Sequence, residues 1–273
     1  MWRYLVRSGG RAGSLLKGHY GNHVRADGPH PPLTRPFTSG TLIYPEAPSK
    51  DQHNDLPSYI AYAERINLDV ESQVFVGTHY EYSVTSALCA LGFDLRRVGG
   101  QSDKGIDLLG TWSVPSTPEN LPMRVLLQCK AYSSAKTARV GPQHIRELEG
   151  AYLGAPPGWR GSGVLALLVT QRPATKGIRD ALANSRWPIG YVSCSRDGML
   201  GQMLWNRRAE EEGLEGMGVT VKLSDDDRHG VAQRLVLTWK GRPFVSSRPP
   251  PALDPEEVAE HRHEVKGDAK PSE

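Results

Sequence analysis

Three polar residues near the middle of the chain have the types and the spacing that metal-dependent hydrolysis of a phosphodiester requires. Asp107 follows a glycine-rich turn and opens a short apolar segment, and Gln128 and Lys130 end a second apolar segment. Side chains alternate along a strand, so Gln128 and Lys130 point to one face and Cys129 to the other. If the two segments pair as strands, a carboxylate, an amide and an ammonium group converge at one end of a sheet. A carboxylate can hold Mg²⁺, and a fixed cation can stabilise the charge of a reacting phosphate.

The stretch that carries these residues resembles the Mrr-like branch of the PD-(D/E)xK restriction-endonuclease superfamily. The motifs of that branch have the form GGxxDxGxD followed by QxK, and they stand here as GGQSDKGID at residues 99–107 and QCK at residues 128–130. The similarity runs from about residue 77 to about residue 194, less than half of the chain. Within that group, the whole chain resembles the fungal mitochondrial required-for-respiratory-growth proteins. The resemblance implies an α/β fold of the restriction-endonuclease type, a mixed β-sheet flanked by helices.

The resemblance also implies a role for each residue of the two motifs. Asp107 is the main metal ligand and the main-chain carbonyl of Cys129 is a second, with Mg²⁺ or Mn²⁺ as the cofactor. Lys130 positions the attacking water or stabilises the oxyanion. Gln128 stands where the superfamily more often has Glu or Asp, and its neutral amide is a weaker ligand, although the Mrr-like branch itself carries Gln. Ordinary interpretations remain, because Asp is frequent in glycine-rich turns and a strand Lys is usually solvated.

Glu81 is the candidate for a further acid, and it has two interpretations. The superfamily often contributes an acid from its first helix, which would make Glu81 a catalytic residue and a metal ligand. On the residues alone, Thr78 and Glu81 have the spacing of a capping box at the start of a helix that ends at Leu91, and this role is slightly favoured. Gln143, near the start of a later helix, resembles a polar residue that the superfamily often has there, and it is also an ordinary surface residue.

Basic residues around the motifs form a candidate nucleic-acid-binding set. Residues 96–146 hold eight basic and three acidic groups, although the net charge of the whole chain is only +3. The residues that could follow a phosphate backbone are Arg96, Arg97, Lys104, Lys136, Arg139 and Arg146, and Arg172 and Lys176 would extend this set. Charged strand ends and loops are usually only solvated, so a surface without a ligand is the other interpretation. We expect nucleic acid as the partner, with DNA favoured over RNA.

Apolar periodicity predicts the elements that would position these residues. The predicted helices are Tyr59–Asn67, Thr78–Leu91, Pro142–Gly154 and Ala174–Asn184. The predicted strands are Val70–Val76, Phe93–Val98, Ile106–Leu109, Arg124–Lys130, Val164–Thr170 and Ile189–Cys194. Helices that alternate with strands indicate a mixed sheet covered on both faces. Two further strands, Gly218–Leu223 and Gln233–Trp239, predict a β-hairpin appended at the C-terminal end.

The ends of the chain differ in composition from its middle. Residues 1–35 are basic, with no acid before Asp27, and they predict a mitochondrial transit peptide, with a disordered basic arm as the alternative. Residues 36–58 are rich in Pro, His, Ser and Thr and predict a linker. The α/β domain with its C-terminal extension then covers residues 59–245, and residues 246–273 predict a disordered tail. We therefore expect a protein of the mitochondrial matrix.

Several classes of protein are excluded or left open by composition. No stretch approaches the ~18 apolar residues of a membrane span. The three cysteines lie far apart and form no CxxC pair, which argues against a zinc site or a disulfide framework and favours a reducing compartment. The alternative to a nuclease is a non-catalytic nucleic-acid-binding factor in mitochondrial gene expression, and a vestigial scaffold is a distant third. The oligomeric state is open, with a homodimer as one option.

Overall fold

A computed structural model describes six ranges of the chain. These ranges are residues 42–45, 53–99, 105–115, 122–132, 140–226 and 230–244. They belong to one unit that begins at Leu42. The predicted transit peptide, the predicted tail and most of the predicted linker lie outside the described residues.

The described ranges contain helices α1 to α5 and strands β1 to β9. The helices are α1 (Leu56–Arg65), α2 (Gln73–Cys89), α3 (Pro142–Gly154), α4 (Lys176–Asn184) and α5 (Arg207–Ala209), which a π-helical turn at Glu210–Leu214 continues. The strands are β1 (Phe93–Arg97), β2 (Leu108–Trp112), β3 (Met123–Lys130), β4 (Val164–Thr170), β5 (Ile189–Cys194), β6 (Leu200–Trp205), β7 (Met217–Asp226), β8 (Gly230–Trp239) and β9 (Arg242–Pro243). Within the described ranges, no helix has both the length and the apolar character that crossing a bilayer requires.

The strands form two sheets. Strands β1 to β6 lie in sequence order in one mixed sheet, where β4 is parallel to β3 and β5 and the other neighbours are antiparallel. Strands β7 to β9 form a smaller antiparallel sheet, and its β7–β8 hairpin has longer strands than predicted. The predicted mixed sheet with flanking helices and a C-terminal hairpin is therefore confirmed. Strand β6 was not predicted.

The core lies on both faces of the larger sheet, and β4 is its centre. All seven residues of β4 are buried. Leu167 packs on the face that α2 and the smaller sheet cover, whereas Leu168 packs on the face that α3 and α4 cover. A parallel strand covered on both faces has no solvent side, which explains the uninterrupted apolar run in the sequence.

Helix α2 corrects two of the sequence predictions. It begins at Gln73, because the Ser72 hydroxyl accepts a hydrogen bond from the Phe75 N–H at 3.1 Å and caps the helix. The predicted strand Val70–Val76 is therefore wrong. The predicted capping box is wrong as well, because Thr78 lies inside the helix and is buried. A buried row at four-residue spacing fixes the helix on the sheet, and its members are Val76, Tyr80, Val84 and Leu88.

The folded region also begins earlier than the predicted position near Tyr59. The Asp55 carboxylate caps α1 by accepting from the Ser58 N–H at 2.9 Å. His53 is buried, and its ring lies 4.8 Å from that of Tyr59. Further upstream, the Ile43 carbonyl accepts a hydrogen bond from the indole N–H of Trp159 at 2.8 Å. Parts of the predicted linker thus contact the core.

Candidate functional site

Asp107 is fixed to the strands on both of its sides. Its main-chain N–H donates to the Leu127 carbonyl at 2.9 Å, and its own carbonyl accepts from the N–H groups of Val98 and Gly99, each at 2.9 Å. Its carboxylate Oδ2 accepts from the main-chain N–H of Cys129 at 2.5 Å. The predicted pairing of the two motif strands is confirmed, with Leu108 opposite Leu127. The structure therefore brings the acid of the first motif onto the QCK segment of the second.

Gln128 is the buried polar member of this group. Its side chain is 6% exposed, and its Oε1 atom has no hydrogen-bond partner among the described residues. Gly105, with φ +79°, leaves room for it, because a Cβ atom at that position would lie 2.8 Å from Nε2 of Gln128. A buried amide oxygen without a partner costs about 1–3 kcal/mol. An oxygen in that condition is a ready acceptor for a cation or for a donor group of a ligand.

Lys130 contacts an acid that the sequence analysis did not single out. Its Nζ atom lies 3.2 Å from Oε2 of Glu147 on α3, and the two side chains are 29% and 48% exposed. Gln128 faces the same helix, since the Cβ of Ala151 on α3 and the Gln128 amide both border Gly105. A signal for Glu147 was present in the sequence: it lies one turn after Gln143 and so shares its side of the predicted helix.

Cys129 joins the site through its main chain alone. Its side chain packs against the core on the α2 side of the sheet, as the alternation of the strand predicts. Burial, and then the charges of Asp107 and Glu81, raise the pKa of the Cys129 thiol well above its usual value. A thiol that stays protonated is a poor nucleophile. Cys129 therefore contributes to the site through its main-chain N–H and carbonyl groups and not through its thiol.

Glu81 lies on α2, on the side of the sheet opposite α3, and forms an ion pair there. Its Oε2 atom accepts from Nε of Arg97 at 2.5 Å, and the side chains are 13% and 15% exposed. The Arg97 guanidinium also reaches the hydroxyl of Thr78 at 3.4 Å. A metal-binding role for Glu81 would require its carboxylate to leave or share Arg97. That role, like the catalytic roles of the motif residues, stays a prediction.

Three of the six predicted phosphate-binding residues fall within the described ranges, and one of them, Arg146 on α3, is exposed. Arg96 is exposed, and its guanidinium lies 4.5 Å from the ring centre of Tyr44. Arg97, the next residue, is the partner of Glu81. Adjacent residues of a strand face opposite ways, so Arg96 alone of this pair presents its charge to solvent. The other members of the set, Lys104, Lys136 and Arg139, lie outside the described residues.

The oxygens at this sheet end suit a hard cation that is held weakly. Among the described residues, no three His, Cys, Asp or Glu side chains gather as a metal-binding cluster. Mg²⁺ does not require one, because it commonly takes one or two carboxylates and fills its shell with waters and substrate phosphates. The Asp107 carboxylate and the Gln128 Oε1, which has no hydrogen-bond partner among the described residues, are oxygens of the type that such a cation takes. The residues present therefore fit Mg²⁺ or Mn²⁺ that shares its coordination with a phosphate.

Comparison with known proteins identifies several relatives. An uncharacterised mitochondrial protein of Schizosaccharomyces pombe is 29% identical over 160 residues, which are 58% of this chain and 61% of that protein. The mitochondrial required for respiratory growth protein 7 of Vanderwaltozyma polyspora is 30% identical over 126 residues, 32% of this chain and 49% of the relative. Its namesake in Saccharomyces cerevisiae is 25% identical over 175 residues, 50% of this chain and 71% of the relative. The chain thus spans about half to three fifths of the length of the first two.

No solved structure matches the chain significantly. All three relatives are named as mitochondrial proteins, which supports a mitochondrial location for this chain, and the second and third are named for respiratory growth. The sequence pattern of the family described as required for respiratory growth protein 7 matches residues 72–122 and 117–223, which together exceed half of the 273 residues. The chain belongs to the family of required for respiratory growth protein 7.

Proposed function

We propose that this protein is a metal-dependent nuclease of the mitochondrial matrix, with a restriction-endonuclease-like fold and Mg²⁺ or Mn²⁺ as its cofactor. It acts on nucleic acid, with DNA favoured over RNA, and so supports maintenance or expression of the mitochondrial genome and, through it, respiratory growth. One observation carries the proposal. The Asp107 carboxylate accepts a hydrogen bond from Cys129, and the preceding residue, Gln128, has a buried amide oxygen that lacks a partner among the described residues.

Each residue of the site has a task in this reaction. Asp107, the Cys129 carbonyl and Gln128 would hold the cation, which supplies charge neutralisation and an activated water when bound. Lys130 holds a positive charge at the strand end, where it stabilises the negative charge that develops on the phosphate. The hydrogen bond from the Cys129 N–H favours one orientation of the Asp107 carboxylate, so the ligand needs little reorganisation when the phosphate arrives.

The test is cleavage of single- and double-stranded DNA and RNA by the purified full-length chain, with and without Mg²⁺ or Mn²⁺. We expect cleavage that requires the cation and that is lost in Asp107→Asn and in Lys130→Ala. Controls are Glu211→Gln and Arg207→Ala, which remove one negative and one positive charge from an exposed ion pair that belongs to no candidate binding set. These controls should cleave like the unmodified chain.

Non-catalytic binding of nucleic acid is the second candidate function. It is favoured by Gln128, whose neutral amide is a weaker metal ligand than the carboxylate that the superfamily more often has at this position. A chain that binds nucleic acid but cleaves none, and whose melting temperature does not respond to Mg²⁺ or Mn²⁺, would support this reading and overturn the nuclease.

A further inference from the structure

Two ion pairs flank the candidate site, and they differ in how easily they open. Arg97 and Glu81 are 15% and 13% exposed, so separating them would leave a charge largely buried, which is strongly unfavourable. Lys130 and Glu147 are 29% and 48% exposed, so either group can turn to water. Exposed pairs of this kind are weak and exchange readily with other ions. The Lys130–Glu147 pair is therefore the exchangeable one.

Glu147 lies beside the Lys130 ammonium group, where its negative charge competes with that of any other anion that approaches. The contact between Nζ and Oε2 is 3.2 Å, a distance at which the carboxylate takes up part of the bonding capacity of the ammonium group. A phosphate oxygen that binds Lys130 places a second negative charge near this carboxylate, so the two anions compete for the ammonium group. Because the Glu147 side chain is half exposed, water solvates its carboxylate when the ion pair with Lys130 opens. The exchange therefore leaves no buried charge.

We infer that Glu147 is a positioning residue that holds Lys130 in the substrate-free protein and competes with a nucleic-acid phosphate for it. The inference rests on the proposed function and deepens it: when a nucleic-acid phosphate binds Lys130, the ion pair between Lys130 and Glu147 opens. Glu147 keeps the Lys130 ammonium at the strand end without substrate, and it lowers the affinity for nucleic acid, because part of the binding free energy goes into opening the ion pair.

The first measurement needs no nucleic acid. Acetylation of lysines in the folded full-length chain, read by mass spectrometry, reports how freely each amine reacts. Glu147→Gln should raise the labelling rate of Lys130 about two- to five-fold, the range that the strength of exposed pairs allows. Glu147→Asp keeps the charge but shortens the side chain, and it should raise the rate as well. Asp180→Asn is the control, since Lys176 is already 83% exposed and should change little.

The second measurement is affinity for a single-stranded and a duplex oligonucleotide without metal. Glu147→Gln should bind about two- to five-fold more tightly. The slope of log affinity against log salt should steepen by up to about one, as for one added phosphate contact. The gain should be absent when Glu147→Gln is placed on Lys130→Ala. Glu211→Gln, which removes the acid that pairs with Arg207 and Arg208 outside the candidate binding set, should not reproduce it.

The outcomes separate this inference from the proposed function. Unchanged Lys130 labelling in both Glu147 variants would show that Glu147 does not hold Lys130 and would overturn the inference, whatever the nucleic-acid result. Increased labelling without tighter binding, in a chain that does bind oligonucleotide, would overturn the competition while the proposed function stands. If labelling rises but neither the unmodified chain nor Glu147→Gln binds any oligonucleotide, the proposed function fails and the competition fails with it.

Discussion

The carboxylate of Asp107 accepts a hydrogen bond from the main-chain N–H of Cys129 at 2.5 Å. A side chain from the start of one strand therefore takes the place that a carbonyl would occupy in the ladder of its neighbour. Asp107 also donates its own main-chain N–H to Leu127. The acid is thus part of the sheet as well as part of the candidate site, and its substitutions have to be judged for both roles.

Asp107→Asn and Asp107→Ala should separate these roles. The amide oxygen of Asn can still accept from the Cys129 N–H, so this variant should lose metal-dependent cleavage and little stability. Ala leaves that N–H without its acceptor, and the free energy of unfolding should fall by about 1.5–3 kcal/mol, the value of a hydrogen bond to a charged group. Urea unfolding of both variants measures the difference. Equal losses of stability would mean that the hydrogen bond contributes nothing to the fold.

Gly105→Ala should damage the site more than the fold. Strain from φ +79° costs about 1–2 kcal/mol for a residue with a side chain. The new Cβ would also displace the Gln128 amide, which can move because it is the end of a flexible side chain. Gly241→Ala is the matched control, with φ +78° and open space around it. Both variants should lose similar stability, whereas only Gly105→Ala should weaken Mn²⁺ binding and cleavage.

Removal of the Arg97 side chain should mainly lower the stability of the fold, whereas removal of the Arg96 side chain should mainly weaken nucleic-acid binding. Arg97→Ala removes the guanidinium that pairs with the largely buried Glu81 carboxylate, and the free energy of unfolding should fall by about 3 kcal/mol. Arg96→Ala removes an exposed charge over Tyr44 and should cost only about 0.5–1 kcal/mol, while it weakens binding of every nucleic-acid sequence alike. Thermal melting and salt-dependent binding give the two readouts. Full stability in Arg97→Ala would show that the ion pair is not structural.

The cap of α1 should make stability depend on pH in the acid range. Hydrogen bonds from the Ser58 side chain and from its main chain lower the pKa of Asp55 below its ordinary value of 3.8. A lowered pKa means that the cap stabilises the fold above that value and that the contribution is lost as pH falls through the pKa of the folded state. Asp55→Ala should cost about 1 kcal/mol at pH 7 and progressively less below pH ~4.

Unfolding curves of the unmodified chain and of Asp55→Ala at pH 7 and pH 2.5 check this expectation. Ser58→Ala removes the larger cause of the shift and should flatten the acid dependence. A difference between the unmodified chain and Asp55→Ala that stays constant over this range would contradict the assignment of the cap.

The best sequence predictions concern elements whose signals are local. Strands β4 and β5 and helix α3 have their predicted bounds. An apolar run of strand length marks β4, and Pro142 and Gly154 mark the two ends of α3. The pairing of β2 with β3 was predicted from two motifs that needed a common sheet end. The start of α2 was missed because apolar residues from Val70 to Val76 suit a strand and a helix equally well.

The contacts of the candidate site were harder to predict, because they join residues far apart in the sequence. Glu81 and Arg97 were both assigned to the site, yet they pair with each other, 16 positions apart. Glu147 was overlooked, because its place one turn after Gln143 indicates a side of the helix but does not identify Lys130 as its partner. Strand β6 has a mixed burial pattern that gives no clean alternation. Pairings of this kind depend on how helices sit on the sheet.

The position of β3 between β2 and β4 has a consequence for hydrogen exchange. Its amides are released only when a neighbouring strand separates from it, so they should exchange on the timescale of large openings. The Cys129 amide differs, because its acceptor is a carboxylate that can rotate away on its own. One strand therefore combines slowly exchanging amides with a proton whose release needs no more than a side-chain motion.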